Sequence, residues 1–302
     1  MLLFCAALIG FGAFAVADGD NAWKTLGRVG VVTLLVVAAY ALLQFAGIDP
    51  VPYEREFLVR RVRSTLGNAS NLGVFLCLAL PLVVARARAE RGAWRWLAWA
   101  SAAAGAVTLV WSLSRGAWLG AIAGGLAWLL AESRSWDPAR RRRGGMVAVG
   151  ALVAAGLAAG LLMPSVGDRL GTLLDSSGGT ARWRVEVWSA TAGLVGERPV
   201  LGFGPAMFRY AFPPRRTASM MAGETGTQAL DDPHNLLASA AVSAGVAGLL
   251  ALLWLLGEAL AAAWRLREDG GGREYAGEAL LSALVAGVVA LQFHFATLDS
   301  AP

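Results

Sequence analysis

Long apolar blocks constrain the fold of this chain more than any other sequence feature. Each block is long enough, or nearly so, to cross about 30 Å of hydrocarbon as a helix. Because the apolar residues are gathered in blocks and do not recur with a helical period, they indicate membrane spans. The sequence therefore predicts an all-α integral membrane protein with about eight transmembrane helices. The predicted spans are residues 1–17, 29–47, 70–86, 94–113, 116–132, 145–163, 235–263 and 277–297.

The composition supports this class and argues against others. Hydrophobic residues make up 57% of the chain and charged residues only 16%, against about 25% charged residues in soluble domains. The net charge is +5, but nearly all the cations are arginines between the apolar blocks. This distribution favours membrane orientation and phosphate contact over a nucleic-acid surface. Cys5 and Cys77 lie inside apolar blocks, with neither a disulfide pattern nor a metal-ligand spacing.

Arginine-rich connections set the predicted orientation. Four short connections are dense in cations, whereas the alternate connections are poorer in them, so the positive-inside rule makes the short set cytoplasmic. The short set is 18–28, 86–95, 131–144 and 264–276, and the alternate set is 48–69, the turn around Arg115 and the long segment 164–234. The long segment is therefore expected on the outer face as a partly helical loop. It separates N-terminal transmembrane helices at 1–163 from C-terminal ones at 235–302.

The first apolar block has one feature of a signal peptide, a small-residue pattern at Ala15 to Ala17. It lacks a basic n-region, and cleavage would leave Lys24 and Arg28 on the outer side, so we expect a true span. A chain that starts and ends on the outer face suggests further helices beyond both ends.

Polar residues collect where the third predicted span begins, in "RVRSTLGNASNLGVF". Asn68 and Asn71 follow Arg63 closely there. They form either a helix N-cap with arginines that extend to the lipid surface, or a polar pocket at that surface. The local pattern alone favours the N-cap.

Arg115 occupies the turn between two spans that meet with almost no loop, in "SLSRGAWLGAIAGG". An arginine so close to the apolar zone is a functional-site candidate, with contact to outer headgroups as the alternative. The glycines that follow it predict close helix packing. They are Gly116, Gly120, Gly124 and Gly125.

An amphipathic helix is predicted for "RWRVEVWSATAGLVGE", ended by Pro199, with Arg184 and Trp188 on one face. The following "GFGPAMF" lacks the lysine of a phosphate-binding loop and any preceding strand, which argues against a nucleotide site. Its glycines instead predict a sharp turn that lies close to another element.

His234 is one of only two histidines. In "DDPHNLL", Asp232 fits an N-cap and Pro233 the first helical position, which would put His234 in the first turn of a membrane helix. A helix N-terminus disfavours imidazolium, and a neutral imidazole beside a carboxylate suits a general base. The alternative is a helix start that happens to include a histidine. His294, within the last predicted span, is expected to be a packed residue.

These four stretches, in this order, resemble the O-antigen ligase and O-antigen polymerase superfamily of bacterial envelope proteins, from about residue 60 to residue 260. The resemblance implies a multi-pass glycosyltransferase of the inner membrane whose active site faces the periplasm or cell exterior. It would move a glycan from a polyprenyl diphosphate to a hydroxyl of a glycan or lipid acceptor, in lipopolysaccharide or surface polysaccharide biosynthesis. Neither a metal nor another cofactor is implied, and membrane lipids are the other expected contact.

The resemblance also implies roles for individual residues. His234 would be the base, and Arg115 and Arg184 would hold the diphosphate, with Arg182 as a rival for Arg184. Further substrate-binding candidates are Arg63, Asn68, Asn71, Trp188, Asp232 and Asn235. The family often has N-P-N where this chain reads Asn68-Ala-Ser-Asn71, which leaves the role of that segment open.

The expected chemistry has a physical basis. Guanidiniums bind phosphate bidentately and stabilise the charge that develops as a diphosphate departs, while a base takes the proton of the attacking hydroxyl. Direct displacement would invert the anomeric centre. The competing class is a lipid or solute transporter or flippase, which intramembrane arginine and glycine-broken helices also suit. The absence of an internal repeat argues against it. A non-catalytic scaffold would tolerate substitution at His234. Ligase and polymerase activities differ only in the acceptor and stay open.

Overall fold

The computed structural model describes residues 2–50, 61–133, 179–217, 230–268 and 275–293, with the single positions 137, 139 and 220, and side chains of 2–22 and 179–182 are outside this description. Every regular element in these ranges is helical, which confirms the all-α prediction. The α-helices are α1 (Leu2–Phe45), α2 (Ala69–Ala89), α3 (Gly92–Trp111), α4 (Arg115–Ser133), α5 (Gly179–Glu197), α6 (Phe208–Ala211), α7 (Leu236–Glu268) and α8 (Ala276–Leu291), with short 3-10 helices at Ser64–Leu66 and Pro213–Arg215.

Three described helices are long and apolar enough to cross a membrane. They cover Trp23–Phe45, Ala69–Ala89 and Leu236–Arg267, and the shorter Ala276–Leu291 is also apolar. The helices α3 and α4 coincide with the predicted spans 94–113 and 116–132. The predicted span 145–163 lies outside the described residues.

The first helix contradicts the predicted connection at 18–28. Its backbone runs without interruption from Leu2 to Phe45, so the prediction of a loop at 18–28 is wrong, whereas the membrane-length segment Trp23–Phe45 covers most of the predicted span 29–47. The segment 18–28 is rich in polar residues but contains no proline. Polar side chains lower helix propensity only slightly, whereas proline removes a hydrogen bond and ends the helix.

The chain forms two compact units, the first comprising 1–170 with 260–290 and the second 171–259 with 291–302. In the first unit, α1, α2 and α3 pack around fully buried Leu34, Leu72 and Leu76. The Ser101 hydroxyl of α3 donates to the Val31 carbonyl of α1 at 2.9 Å. A satisfied hydroxyl and leucine packing together join these helices without leaving a buried polar group unpaired.

Two of the predicted packing glycines bring α4 close to α8. A Cβ added to Gly120 would lie 2.5 Å from the Ala286 carbonyl oxygen, and one added to Gly124 would lie 2.6 Å from that of Ser282. Only glycine allows this separation, so close packing is confirmed at both positions. At Gly125 the prediction is wrong, because an added Cβ would meet nothing within 4 Å.

The Glu90 carboxylate, which directly follows α2, binds two arginines. The Arg28 guanidinium donates Nε to Oε1 of Glu90 at 2.9 Å and a terminal nitrogen to Oε2 at 3.0 Å. Arg86 donates to Oε1 at 2.5 Å. Glu90 follows the membrane-length helix α2, and these donors, that of Arg28 foremost, lower its pKa to about 2. The carboxylate therefore ties α1 to the end of α2.

The second unit has its own core, made by α5, α6 and the start of α7. Val187, Leu194, Phe208, Phe212 and Val242 are buried there. The described part of the predicted loop 164–234 is therefore partly helical, as expected. The helix α7 departs from prediction, because Gly245, at φ 64° and ψ −165°, breaks it into two helical segments. The predicted span 235–263 is thus not one continuous helix.

Candidate functional site

The start of α7 differs from the prediction for His234. The helix begins at Leu236, and the Asn235 side-chain oxygen accepts from the backbone N–H groups of Leu237 and Ala238 at 3.0 Å each. Asn235 is therefore the N-cap, and Asp232 is not. His234 precedes the cap with φ 57°, a left-handed backbone conformation. The prediction that it lies in the first turn is wrong, because the nearer amide side chain reaches the orphan donors.

Asp232 holds the backbone of His234 in place. Its Oδ1 accepts from the His234 N–H at 2.7 Å, and its Oδ2 accepts from the Ser239 hydroxyl at 2.5 Å. All three residues are buried, so each oxygen of the carboxylate has a donor in a place where an unmatched charge would be costly. Histidine adopts positive φ more readily than most residues. Asp232 thus links this unusual backbone to the first turn of α7.

Two tryptophans of α5 flank the histidine segment. The Trp183 ring lies 5.4 Å from the His234 ring, centroid to centroid, with 43° between the planes. The Trp188 indole N–H donates to the Pro233 carbonyl at 3.0 Å. One helix therefore supplies both an aromatic contact to the imidazole and a hydrogen bond to the chain beside it.

Arg184 is linked to the same region by the residues that follow α8. Its guanidinium donates to the Phe293 carbonyl at 3.2 Å. The Trp188 and Phe293 rings are 6.5 Å apart, which confirms that Arg184 and Trp188 share one face of α5. The Asn235 amide donates to the neighbouring Gln292 carbonyl at 3.3 Å. The 292–293 turn is thus bonded to both α5 and the cap of α7.

The second unit therefore brings together half of the predicted site residues. These are Arg184, Trp188, Asp232, His234 and Asn235. The side chain of Arg182 and the whole of His294 lie outside the described residues. Within the described part of the chain, no three His, Cys, Asp or Glu side chains cluster as metal ligands.

The remaining predicted residues share one end of the first unit. Asn68 accepts from the Ser70 and Asn71 backbone N–H groups at 2.7 and 3.4 Å, which confirms the N-cap. A Cβ added to Gly73 of α2 would lie 2.5 Å from the Ala117 Cβ of α4. The starts of α2 and α4 are therefore close, and Arg115 begins α4.

Arg61 and Arg63 tie the segment before α2 to its neighbours. The Arg61 Nε donates to the Ser112 carbonyl, in the turn between α3 and α4, at 3.1 Å. The Arg63 backbone N–H donates to the Gln44 side-chain oxygen at 3.1 Å. Arg61 was not predicted as a site residue. Because the guanidinium holds the turn that precedes Arg115, it has a structural task at this end of the unit.

The glycine-rich segment after Pro199 inserts into the break in α7. The Phe203 and Gly204 N–H groups donate to the Val242 and Ser243 carbonyls at 2.8 and 2.9 Å. The Val246 N–H donates to the Pro199 carbonyl at 2.7 Å. The backbone groups that the break exposes are thus matched by the loop. The prediction that these glycines allow close approach to another element is confirmed.

Sequence reasoning missed Trp183, Ser239 and Gly245. Trp183 adjoins Arg184 in the sequence, but consecutive residues do not share a helical face, so the face of Arg184 gave no signal for it. Ser239 follows the cap residue Asn235 by one helical turn, which puts its side chain back over the cap. Gly245 gave no separate signal, because glycines also occur in unbroken parts of the same helix, such as Gly257.

Comparison with known families shows a family that covers about half of the chain. Residues 100–253 match a family described as O-antigen ligase, which is 154 of the 302 residues. The matched region contains Arg115, the whole of α5, the loop that enters the break, and His234. No curated protein sequence matches the chain.

Proposed function

Because this chain belongs to the O-antigen ligase family, we propose that it transfers a glycan from a polyprenyl diphosphate to a hydroxyl of a glycan or lipid acceptor. The observation that carries this proposal is the arrangement around His234. A buried histidine, fixed by Asp232 and packed against Trp183, lies in the same region as Arg184. An acceptor hydroxyl needs such a base, and a departing diphosphate needs such a cation.

In the proposed reaction, the acceptor oxygen attacks the anomeric carbon of the donor glycan. The new carbon–oxygen bond forms as the bond from that carbon to the diphosphate oxygen breaks. The His234 imidazole takes the hydroxyl proton, and the bonding electrons leave with the diphosphate. Attack opposite the leaving group inverts the anomeric centre. We propose that the step needs no metal, because guanidinium groups supply the positive charge.

Arg184 is proposed to bind the diphosphate. Its hydrogen bond to the Phe293 carbonyl holds the guanidinium against the 292–293 turn. The planar group matches phosphate oxygens in a way that an ammonium does not. The family resemblance assigns the same ligand to Arg115 and leaves Arg182 as an alternative to Arg184. Trp188 and Asn235 support the segment around His234 through their hydrogen bonds.

The candidate residues of the first unit are proposed to have two different tasks, one structural and one in donor binding. Asn68 caps α2, so we assign it a structural task that keeps Arg115 at the start of α4. Arg63 and Asn71 lie at the same end and are proposed to contact the donor. We further propose about eight spans in the bacterial inner membrane, with 164–234 and the active site on the outer face.

A transporter or flippase is the second candidate, and the break in α7 favours it. Discontinuous membrane helices expose backbone groups that coordinate substrates in transporters. Here, however, the Val242, Ser243 and Val246 backbone groups bond to the 199–204 loop. Since the chain itself occupies the break, these backbone groups are already bonded and are not left for a transported substrate.

Reconstitution into liposomes tests the two candidates. The purified chain would receive a polyprenyl-diphosphate oligosaccharide and, in separate samples, a lipid or a glycan acceptor. We expect a covalent glycan–acceptor product that still forms with EDTA, and the productive acceptor distinguishes ligase from polymerase. Movement of the donor across the bilayer with no covalent product from either acceptor would contradict the proposal.

A further inference from the structure

The helix α7 contains more residues than one membrane span requires. Its two segments together have 33 residues, whereas a spanning helix needs about 20. The hydrocarbon core is about 30 Å thick and the whole bilayer about 40–45 Å. Part of α7 is therefore expected to lie outside the hydrocarbon.

The break at Gly245 divides α7 at the length that a membrane requires. From Val246 to Arg267 the helix has about 22 residues, or about 33 Å. Arg265 and Arg267 lie in its last turn, where a spanning helix places its cations. The segment Val246–Arg267 therefore suffices to cross the hydrocarbon by itself.

Exposure changes at the same residue. Before the break, Leu236, Ala241 and Val242 are buried in the core of the second unit. After it, large apolar side chains are exposed, with Leu250 at 59% and Trp254 at 69%. Apolar side chains exposed along a membrane helix face lipid. The change from buried to exposed apolar side chains thus coincides with the break at Gly245.

The turn Pro199–Leu201 lies at this break. The Pro199 carbonyl accepts from the Val246 N–H at 2.7 Å, and the Val200 carbonyl accepts from that of Ala247 at 3.4 Å. The side chains of Val200 and Leu201 are 67% and 76% exposed. Two branched apolar side chains thus extend from a turn that is bonded to the first residues of the lipid-facing segment.

Two charged residues, Glu197 and Arg198, directly precede the turn in the sequence. The Arg198 guanidinium lies 5.0 Å from the Phe203 ring centroid. Glu197 pairs with Arg215, and both side chains are exposed. An exposed ion pair belongs in water or among headgroups, not in hydrocarbon. An apolar tip with a charged base is typical of elements that insert shallowly into a membrane surface.

We propose that the turn Pro199–Leu201 inserts into the bilayer surface beside Val246, with Val200 and Leu201 among the upper acyl chains of the phospholipids. Continuity with the lipid-facing part of α7 identifies phospholipid as the occupant. The insertion rests on membership of a membrane-protein family and not on the proposed transfer reaction. With the turn inserted, the 199–204 loop contacts lipid as well as α7.

Nitroxide accessibility in proteoliposomes tests the insertion. Single cysteines replace Val200, Leu201, Leu250 or Pro214 in a chain with Cys5→Ala and Cys77→Ala. Leu250 is the lipid reference, and the exposed Pro214, beside Arg215, is the aqueous one. Circular dichroism and gel filtration check that each variant folds. Collisions with oxygen, which concentrates in lipid, are compared with collisions with a water-soluble nickel chelate.

At positions 200 and 201 we expect oxygen to be favoured, at a depth shallower than at position 250, while position 214 favours the nickel chelate. Nickel accessibility at 200 and 201 equal to that at 214 would overturn the proposal, since the turn would then be in water. Low accessibility to both reagents would overturn it too, because protein would then cover the turn. None of these readouts depends on glycan transfer.

Discussion

Gly202 and Gly245 pack backbone against backbone, although 43 positions separate them in the sequence. A Cβ added to Gly202 would lie 2.6 Å from the Val242 carbonyl oxygen, and one added to Gly245 would clash with the Val200 carbonyl. Both glycines have positive φ, and Gly245 adopts a conformation that is essentially restricted to glycine. The helix that follows His234 is therefore broken at Gly245. The 199–204 loop fills this break through backbone contacts that leave no room for a side chain at either glycine.

Alanine at either glycine should destabilise the fold. We expect Gly202→Ala and Gly245→Ala each to lower the free energy of unfolding by more than about 2 kcal/mol, because strain and a backbone clash act together. Gly257→Ala is the matched control, since that helical glycine faces open space and alanine improves helix propensity. Thermal unfolding in detergent measures the difference. Equal midpoints for Gly245→Ala and Gly257→Ala would show that the close approach contributes nothing.

The contacts of Asp232 predict a graded loss of activity. Asp232→Ala leaves the buried His234 N–H and Ser239 hydroxyl without their acceptor, a cost of about 1–3 kcal/mol for each group. Transfer should slow by at least tenfold in kcat, with little change in the KM for donor, because the imidazole is displaced while Arg184 stays. Ser239→Ala should have a smaller effect, and Ser239→Thr, which keeps the hydroxyl, should recover most of it. A loss confined to the KM for donor would assign Asp232 to diphosphate binding instead.

Arg184 should require its guanidinium and not merely its charge. We expect Arg184→Lys to weaken donor binding at least tenfold, because the ammonium lacks the planar pair of donors. Arg209→Lys serves as the control, since Arg209 pairs with Asp231 at the surface, where ion pairs contribute about 0–1 kcal/mol. Titration with a fluorescent polyprenyl diphosphate measures the affinity. Unchanged binding by Arg184→Lys would remove Arg184 from the diphosphate site.

Glu90 should make stability depend on pH in the acid range. The guanidiniums of Arg28 and Arg86 lower the pKa of its carboxyl to about 2, below the ordinary value of about 4.3. Its stabilisation is therefore fully present above about pH 4.3 and is lost as the pH falls towards 2. At pH 7, Glu90→Gln should cost about 3 kcal/mol, because Arg86 stays buried without its partner. The difference from the unmodified chain should narrow at low pH in thermal unfolding. A difference that stays constant from pH 7 to pH 3 would show that the ion pair is not its source.

Local signals in the sequence predicted much of the second unit. Pro199 ends α5 as expected, because proline disfavours helix in the residue before it. The spacing of Arg184 and Trp188 placed both on one face, where they meet Phe293. Each of these features depends on neighbours a few residues away, which a single sequence displays.

Long-range partners explain what the sequence did not reveal. Asp232 and Asn235 are both good N-caps, but Asp232 accepts from the His234 N–H and the Ser239 hydroxyl, and Asn235 caps the helix. The position of the break among the glycines of α7 is decided by the 199–204 loop. The α1 error has a local origin instead, because polar and charged residues at 18–28 do not by themselves end a helix that contains no proline.

His234 is proposed to remove the acceptor proton, and the decisive experiment is single-turnover transfer by His234→Ala. The folded variant would be loaded with the polyprenyl-diphosphate donor, its donor affinity measured, and the acceptor then added. We expect donor affinity close to that of the unmodified chain and no glycan–acceptor product, because the base acts on the acceptor and not on the diphosphate. Transfer at the unmodified rate would show that His234 is not the base and would remove it from the mechanism.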